Sequence, residues 1–104
     1  MTQQYANRHG YSDVEPFEVI RAISGKTLEV RKMASERDPS VELKFVPGGF
    51  SGHCENQRDQ KWFITSDVSR PIIRIRLGKN GWKSACGSRF VLADQPHRFY
   101  DYNF

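Results

Sequence analysis

No apolar run in this chain approaches the roughly 20 residues that a helix needs to cross a bilayer. The opening segment, MTQQYANRHGYSD, lacks the apolar core of a secretory leader. Cysteine is scarce: Cys54 and Cys86 allow one bridge at most and no disulfide framework. These absences lead to the expectation of a soluble protein in a reducing, cytoplasmic setting, with free thiols and no membrane partner. Helical periodicity is also missing, because no stretch longer than a few residues repeats its apolar positions every 3.6 residues. The sequence has no internal repeat, low-complexity tract or linker pointing to a second domain.

Catalytic signatures are equally sparse. VPGGFSGHC brings glycines together but matches neither G-x-x-x-x-G-K-[ST] nor G-x-G-x-x-G, so it is expected to be a turn with Phe50 tucked inward. His9, His53, Cys54, Cys86 and His97 are the soft-ligand candidates, and no C-x₂₋₄-C or H-x₃₋₅-H pair exists to pre-order a metal site. A Cys54 nucleophile with His97 as base would need an oxyanion hole and an orienting acid, and no local signature supplies them. The expectation is therefore a protein without catalytic residues, metal or cofactor.

What is present is bulk, charge and alternation. The 104 residues are 38% hydrophobic and 12% aromatic, with seven Phe, four Tyr and two Trp, enough for one core of few but large side chains. The net charge of +4 is unevenly spread, residues 1–57 balancing at −1 and residues 58–98 at +6. Such asymmetry suits an anionic partner.

Residues 1–14 are polar and aperiodic and are expected to form a flexible arm, with a single β-rich domain over residues 15–104. Phe17, Val19 and Ile23, then Leu28 and Val30 beyond Ser24-Gly25-Lys26, predict a hairpin. Residues 34–40 look like a loop, with Pro39 barring a regular helix across them. Val41, Leu43 and Phe45 predict a short strand ended by Pro47-Gly48-Gly49, followed by a long connection or a single helical turn. Trp62-Phe63-Ile64 opens the next strand. Ile73, Ile75 and Leu77 alternate with Arg74 and Arg76, and Asn80-Gly81 signals a tight type I′ turn. Strands at Trp82–Ala85 and Arg89–Leu92, joined by Cys86-Gly87-Ser88, complete a meander. About six short strands with Gly/Pro punctuation predict a small antiparallel β-barrel or strongly bent sheet, SH3-like or OB-like, with room for one short helix in the middle.

If Ile73, Ile75 and Leu77 face the core, Arg74 and Arg76 share the opposite face, about 7 Å apart, near the spacing of successive phosphates. Lys79 and Lys83 flank the turn, and Trp82 offers a stacking face for a base. Alternatively, Trp82 belongs to the core and the arginines only keep an exposed sheet face soluble. Arg58, Lys61, Arg74, Arg76, Lys79, Trp82, Lys83 and Arg89 are thus the candidate contacts for nucleic acid or a partner. The ending Phe99-Tyr100-Asp101-Tyr102-Asn103-Phe104 would be a sticky patch if exposed. It is expected to be ordered and to close the barrel, or else to serve as a docking tail through Phe99, Tyr100, Tyr102 and Phe104.

The order PFEVIRAISGKTLEVRKM, VPGGFSGHCENQRDQKWFI, IRIRLGKNGWK, GSRFVLADQPHRFYDYNF resembles a group of short proteins encoded in bacteriophage and prophage genomes. The resemblance runs from about residue 15 onward and is most specific at NQRDQKW and FYDYNF. It carries over no functional residue, only a setting: the cytoplasm of an infected bacterium, where small phage proteins bind and inhibit host machinery, including nucleic-acid-guided defence complexes. Two expectations follow. One is a binder of nucleic acid, or of a host complex that handles it, through the basic-aromatic face. The other is a protein-directed accessory or structural factor binding by its sheet edge and aromatic tail.

Overall fold

A computed structural model describes residues 4–46 and 53–102. In chain order these hold β1 (Tyr5–His9), β2 (Val14–Glu15), β3 (Phe17–Ser24), β4 (Thr27–Lys32), β5 (Ala34–Arg37), β6 (Phe45–Val46), β7 (His53–Cys54), a 3-10 turn (Gln57–Asp59), β8 (Trp62–Thr65), β9 (Ile72–Gly78), β10 (Gly81–Ser84) and β11 (Arg89–Ala93). Six of these strands, β1, β3, β4, β9, β10 and β11, pair antiparallel in chain order, and β11 pairs back onto β1. The result is the expected small antiparallel barrel, closed, with an up-and-down connectivity. The strand β2 extends the β1 ladder, while β5–β8 and β6–β7 form separate two-stranded ladders within the long excursion between β4 and β9.

The period-2 alternation of the sequence becomes the inside and outside of this barrel. Ala6, Phe17, Val30, Ile75 and Phe90 form its buried core, flanked by Val19, Leu28, Ile73, Trp82 and Leu92. The Phe17 and Phe90 rings meet edge to face, with centroids 5.0 Å apart and planes at 86°, the arrangement their quadrupoles favour.

The structure corrects several sequence expectations. Residues 5–9 are not an arm: β1 closes the barrel through the register Tyr5↔Ala93 to His9↔Arg89, with Ala6 wholly buried. A short polar strand with one small apolar residue leaves no periodic signal, so only its two flanking partners define it. Residues 34–37, expected in a loop, form β5 because β8 supplies a partner, Ala34↔Thr65 through Arg37↔Trp62. The strand expected over Val41–Phe45 shrinks to Phe45–Val46. Upstream, the Asn56 side chain replaces a neighbouring strand: its Oδ1 accepts from the Lys44 N–H at 2.7 Å and its Nδ2 donates to the Glu42 carbonyl at 2.8 Å. Irregularities in register between Val19/Arg21 and Ala22/Ser24 leave Ile23 exposed, although the simple alternation placed it inside. The expected turn at Pro47-Gly48-Gly49, Phe50 and the terminal Phe104 lie outside the described residues.

Asn7 shows how firmly the N-terminal strand is held. It is buried, its Nδ2 donates to the Gln95 carbonyl at 3.1 Å, and its Oδ1 accepts from the His97 N–H at 2.9 Å. Removing the amide strands two backbone groups in a partly buried site. Asn7→Ala is expected to lower unfolding free energy by about 1–3 kcal/mol in urea denaturation, whereas a flexible arm would give a change within about 0.5 kcal/mol.

Candidate functional site

The β9–β10 hairpin gathers four of the expected cations around one shallow depression. Arg74, Arg76, Lys79 and Lys83 line a cavity of about 470 Å³ together with the turn residues. Arg74 and Arg76 project from the outer face, as the alternation requires, while Ile75 between them is wholly buried. The turn itself differs in type. No non-glycine residue among those described has positive φ, so Asn80-Gly81 is not the expected type I′ pair: of the two only Gly81 is left-handed, at φ 101°. Gly81 therefore opens the return strand opposite Gly78, one residue earlier than a type I′ turn at Asn80-Gly81 would place it.

Register then aligns the charges. Lys83 stands directly opposite Arg76 on one side and Arg89 on the other, and Arg89 stands opposite His9 across the closing seam. Arg76, Lys83 and Arg89 are exposed, and among the described residues no ion pair engages them. Arg74 is different: its Nε lies 3.3 Å from Glu29 Oε2, and the other oxygen of that carboxylate is 3.1 Å from Arg21 Nη2. His9, which sequence reasoning did not place here, joins the row only because β1 pairs with β11. Its pKa is lowered, first by partial burial and then by the charges of His97 and Arg89, as expected beside an electropositive strip.

Other expected contacts lie elsewhere. Trp82 is half-buried and packs against the barrel core, on the face opposite Lys83, so it offers no stacking surface to a ligand on the strip. Arg58 belongs to the 3-10 turn and Lys61 to the segment before β8, both exposed but on the excursion rather than on the β9–β11 face.

The aromatic ending is tied to its own chain. Phe99 exchanges two backbone hydrogen bonds with Val14, each 2.9 Å. Gln60 brackets Tyr100: its Oε1 accepts from the Tyr100 N–H at 2.9 Å, and its Nε2 donates to the Tyr100 carbonyl at 2.8 Å. The Tyr102 N–H donates to Gln57 Oε1 at 2.8 Å, and the Tyr102 ring meets Phe45 edge to face at 5.4 Å. Phe99 and Tyr102 are half-buried by these contacts, leaving Tyr100, 43% exposed, as the most open described ring of the tail.

Among the described residues, no group of three or more His, Cys, Asp or Glu is placed to hold a metal ion. Cys54 is buried, with its Sγ 3.7 Å from Asn56 Oδ1, whereas the His97 N–H donates to Asn7 Oδ1 on β1, beside His9. Cys86 is exposed in the β10–β11 turn, 3.2 Å from Ser84 Oγ and 3.6 Å from Ser88 Oγ. Hydrogen bonds from these hydroxyls and from the Ser88 backbone lower its thiol to about 7.

Comparison of the chain with protein-family models, with curated proteins and with solved structures yields no match.

Two outcomes follow from this geometry. Like charges directly opposite on neighbouring strands repel, so Lys83→Thr is expected to stabilise the fold, by about 0.2–1 kcal/mol in urea denaturation. The thiolate is the nucleophile, so Cys86 alkylation by iodoacetamide should rise with a midpoint at about 7. Ser84→Ala should move that midpoint upward, because the thiolate loses its principal donor.

Proposed function

We propose that this chain is a non-enzymatic binding protein that grips the phosphate backbone of nucleic acid, free or within a host nucleic-acid-handling complex, along the Arg76–Lys83–Arg89 strip. One observation supports this most: three exposed cations stand directly opposite one another on β9, β10 and β11. Such an arrangement costs folding energy and is compensated when an anion lies across it. Adjacent strands are about 4.8 Å apart, so the three cations span about 10 Å. That charge density is comparable to a nucleic-acid strand, which carries about one phosphate per 3.4 Å of duplex axis. Lys79 at the turn extends the strip toward the hairpin tip.

The inward position of Trp82 removes base stacking from the interface, so contacts fall on phosphates and carry no base preference. The resemblance to phage-encoded proteins supplies the setting in which such a binder would act, on host nucleic-acid machinery in an infected cell, as an inhibitor of a defence system. A protein-directed factor would instead depend on a few aromatic and arginine anchors and vary less with salt.

Fluorescence anisotropy with a labelled single-stranded oligonucleotide separates the two. Four cation contacts predict that log K falls with log salt at a slope of about −3. The double variant Arg76→Ala/Lys83→Ala is expected to reduce the slope to about half and weaken binding, while its thermal stability is retained or improved. Unchanged affinity in the double variant, or binding indifferent to salt, would overturn the proposal.

A further inference from the structure

A second basic site lies at the end of the barrel opposite the β9–β10 turn, where the excursion leaves it. A cavity of about 210 Å³ opens there, walled by Lys32, Arg70 and Arg98 with Glu15 and the Met33–Ser35 segment. The three cations arrive from separate elements: Lys32 ends β4, Arg70 lies between β8 and β9, and Arg98 lies between β11 and the tail. We propose that this cavity binds a phosphoryl group, as inorganic phosphate or as the terminal group of a phosphomonoester.

The local charge balance favours an anion. Glu15 is the one acid in the wall, and it is already shared: Arg8 pairs with one of its oxygens, and Lys32 Nζ lies 2.6 Å from the other. Arg70 reaches Asp67 only through Nε at 3.4 Å, and that carboxylate also receives the Ser69 hydroxyl and N–H. Four cations thus converge on two carboxylates. Crowding is felt at Lys32, whose pKa is lowered first by burial and then by Arg70, Arg8 and Arg98. Arg98 is pre-positioned, its guanidinium 5.3 Å from the Trp62 ring and 5.7 Å from the Tyr100 ring, with Nη1 donating to the Val14 carbonyl at 3.3 Å.

Phosphate fits this arrangement better than carboxylate. A phosphoryl dianion presents three acceptor oxygens and close to two charges, which matches three cations from three directions. The volume equals about seven waters, room for the phosphoryl group and a few attached atoms but not for a folded partner. This site shares no residue with the Arg76–Lys83–Arg89 strip, so each stands or falls alone.

The test is a ¹⁵N–¹H NMR titration of the full chain with inorganic phosphate and, separately, with ribose 5-phosphate, at constant ionic strength set by chloride. Saturable shifts at the Met33, Ala34 and Ser35 amides are expected with at least one ligand. Phosphate binding as tight as ribose 5-phosphate binding assigns the site to the free ion, and tighter binding of the ester assigns it to a phosphomonoester. The half-exposed Arg70 allows Arg70→Gln without disturbing the core, and this variant should weaken binding about tenfold or more, the worth of one charge-assisted hydrogen bond. Arg76→Ala should leave the affinity unchanged. Absence of saturation with both ligands, or equal affinity in a folded Arg70→Gln protein, would overturn the proposal.

Discussion

Pairing of β1 with β11 is the constraint on which the rest of the molecule depends. It turns a six-strand meander into a ring, so that neither end strand of the meander is left open along this ladder. It buries Ala6 against the phenylalanine core and places Asn7 on the outer surface of the seam, where its amide holds Gln95 and His97. The same ladder sets Arg89 beside His9 and leads the chain after β11 back over β2, where Phe99 bonds to Val14. Closure therefore connects the core, the basic strip and the course of the aromatic tail through five residues of polar sequence.

The distribution of carboxylates explains where the positive charge remains available. Glu15, Glu18 and Glu29, all from the acidic first half of the chain, each engage side chains on neighbouring elements. Glu15 binds Arg8 and Lys32, Glu18 binds Arg31 and Ser66, and Glu29 binds Arg21 and Arg74. Most of their partners lie in that same half, so among the described residues the cations of β9 to β11 other than Arg74 are left without an ion pair. The two basic regions that result differ in dielectric setting. The hairpin strip is open to solvent and its field is screened within about 10 Å at ordinary salt, which suits a long polyanion touching several charges at once. The cavity beside Lys32, Arg70 and Arg98 is more enclosed, and there one compact anion interacts more strongly with each group.

The two most distinctive stretches, NQRDQKW and FYDYNF, turn out to be partners. Gln57 and Gln60 from the first hold the backbone of Tyr102 and Tyr100 from the second, and Trp62 Nε1 steadies Gln60 by donating to its Oε1 at 2.7 Å. A glutamine amide that both donates and accepts suits this bracketing of a backbone, which constrains the glutamine positions. Their contact gives both stretches a structural role that requires no ligand.

Much of the barrel was legible because local chemistry and tertiary structure agree there. The hairpins around Gly25 and Gly81, the alternation of Ile73, Ile75 and Arg74, Arg76, and the turn at Cys86-Gly87-Ser88 all follow from period-2 patterning and glycine at the right places. The outward direction of the arginines follows from the same rule. Residues whose role depends on a distant partner were not legible. Residues 5–9 and 34–37 are strands because β11 and β8 complete their hydrogen bonds, and the irregularities that expose Ile23 arise from fitting β3 to β4. Trp82 faces inward because the register sets it directly opposite Phe90 of the core. Sequence alone determined a β-rich domain of short antiparallel strands with a basic second half. Only the tertiary structure decided which charges stand free, because neutralisation depends on carboxylates brought across the sheet from residues far away in the chain.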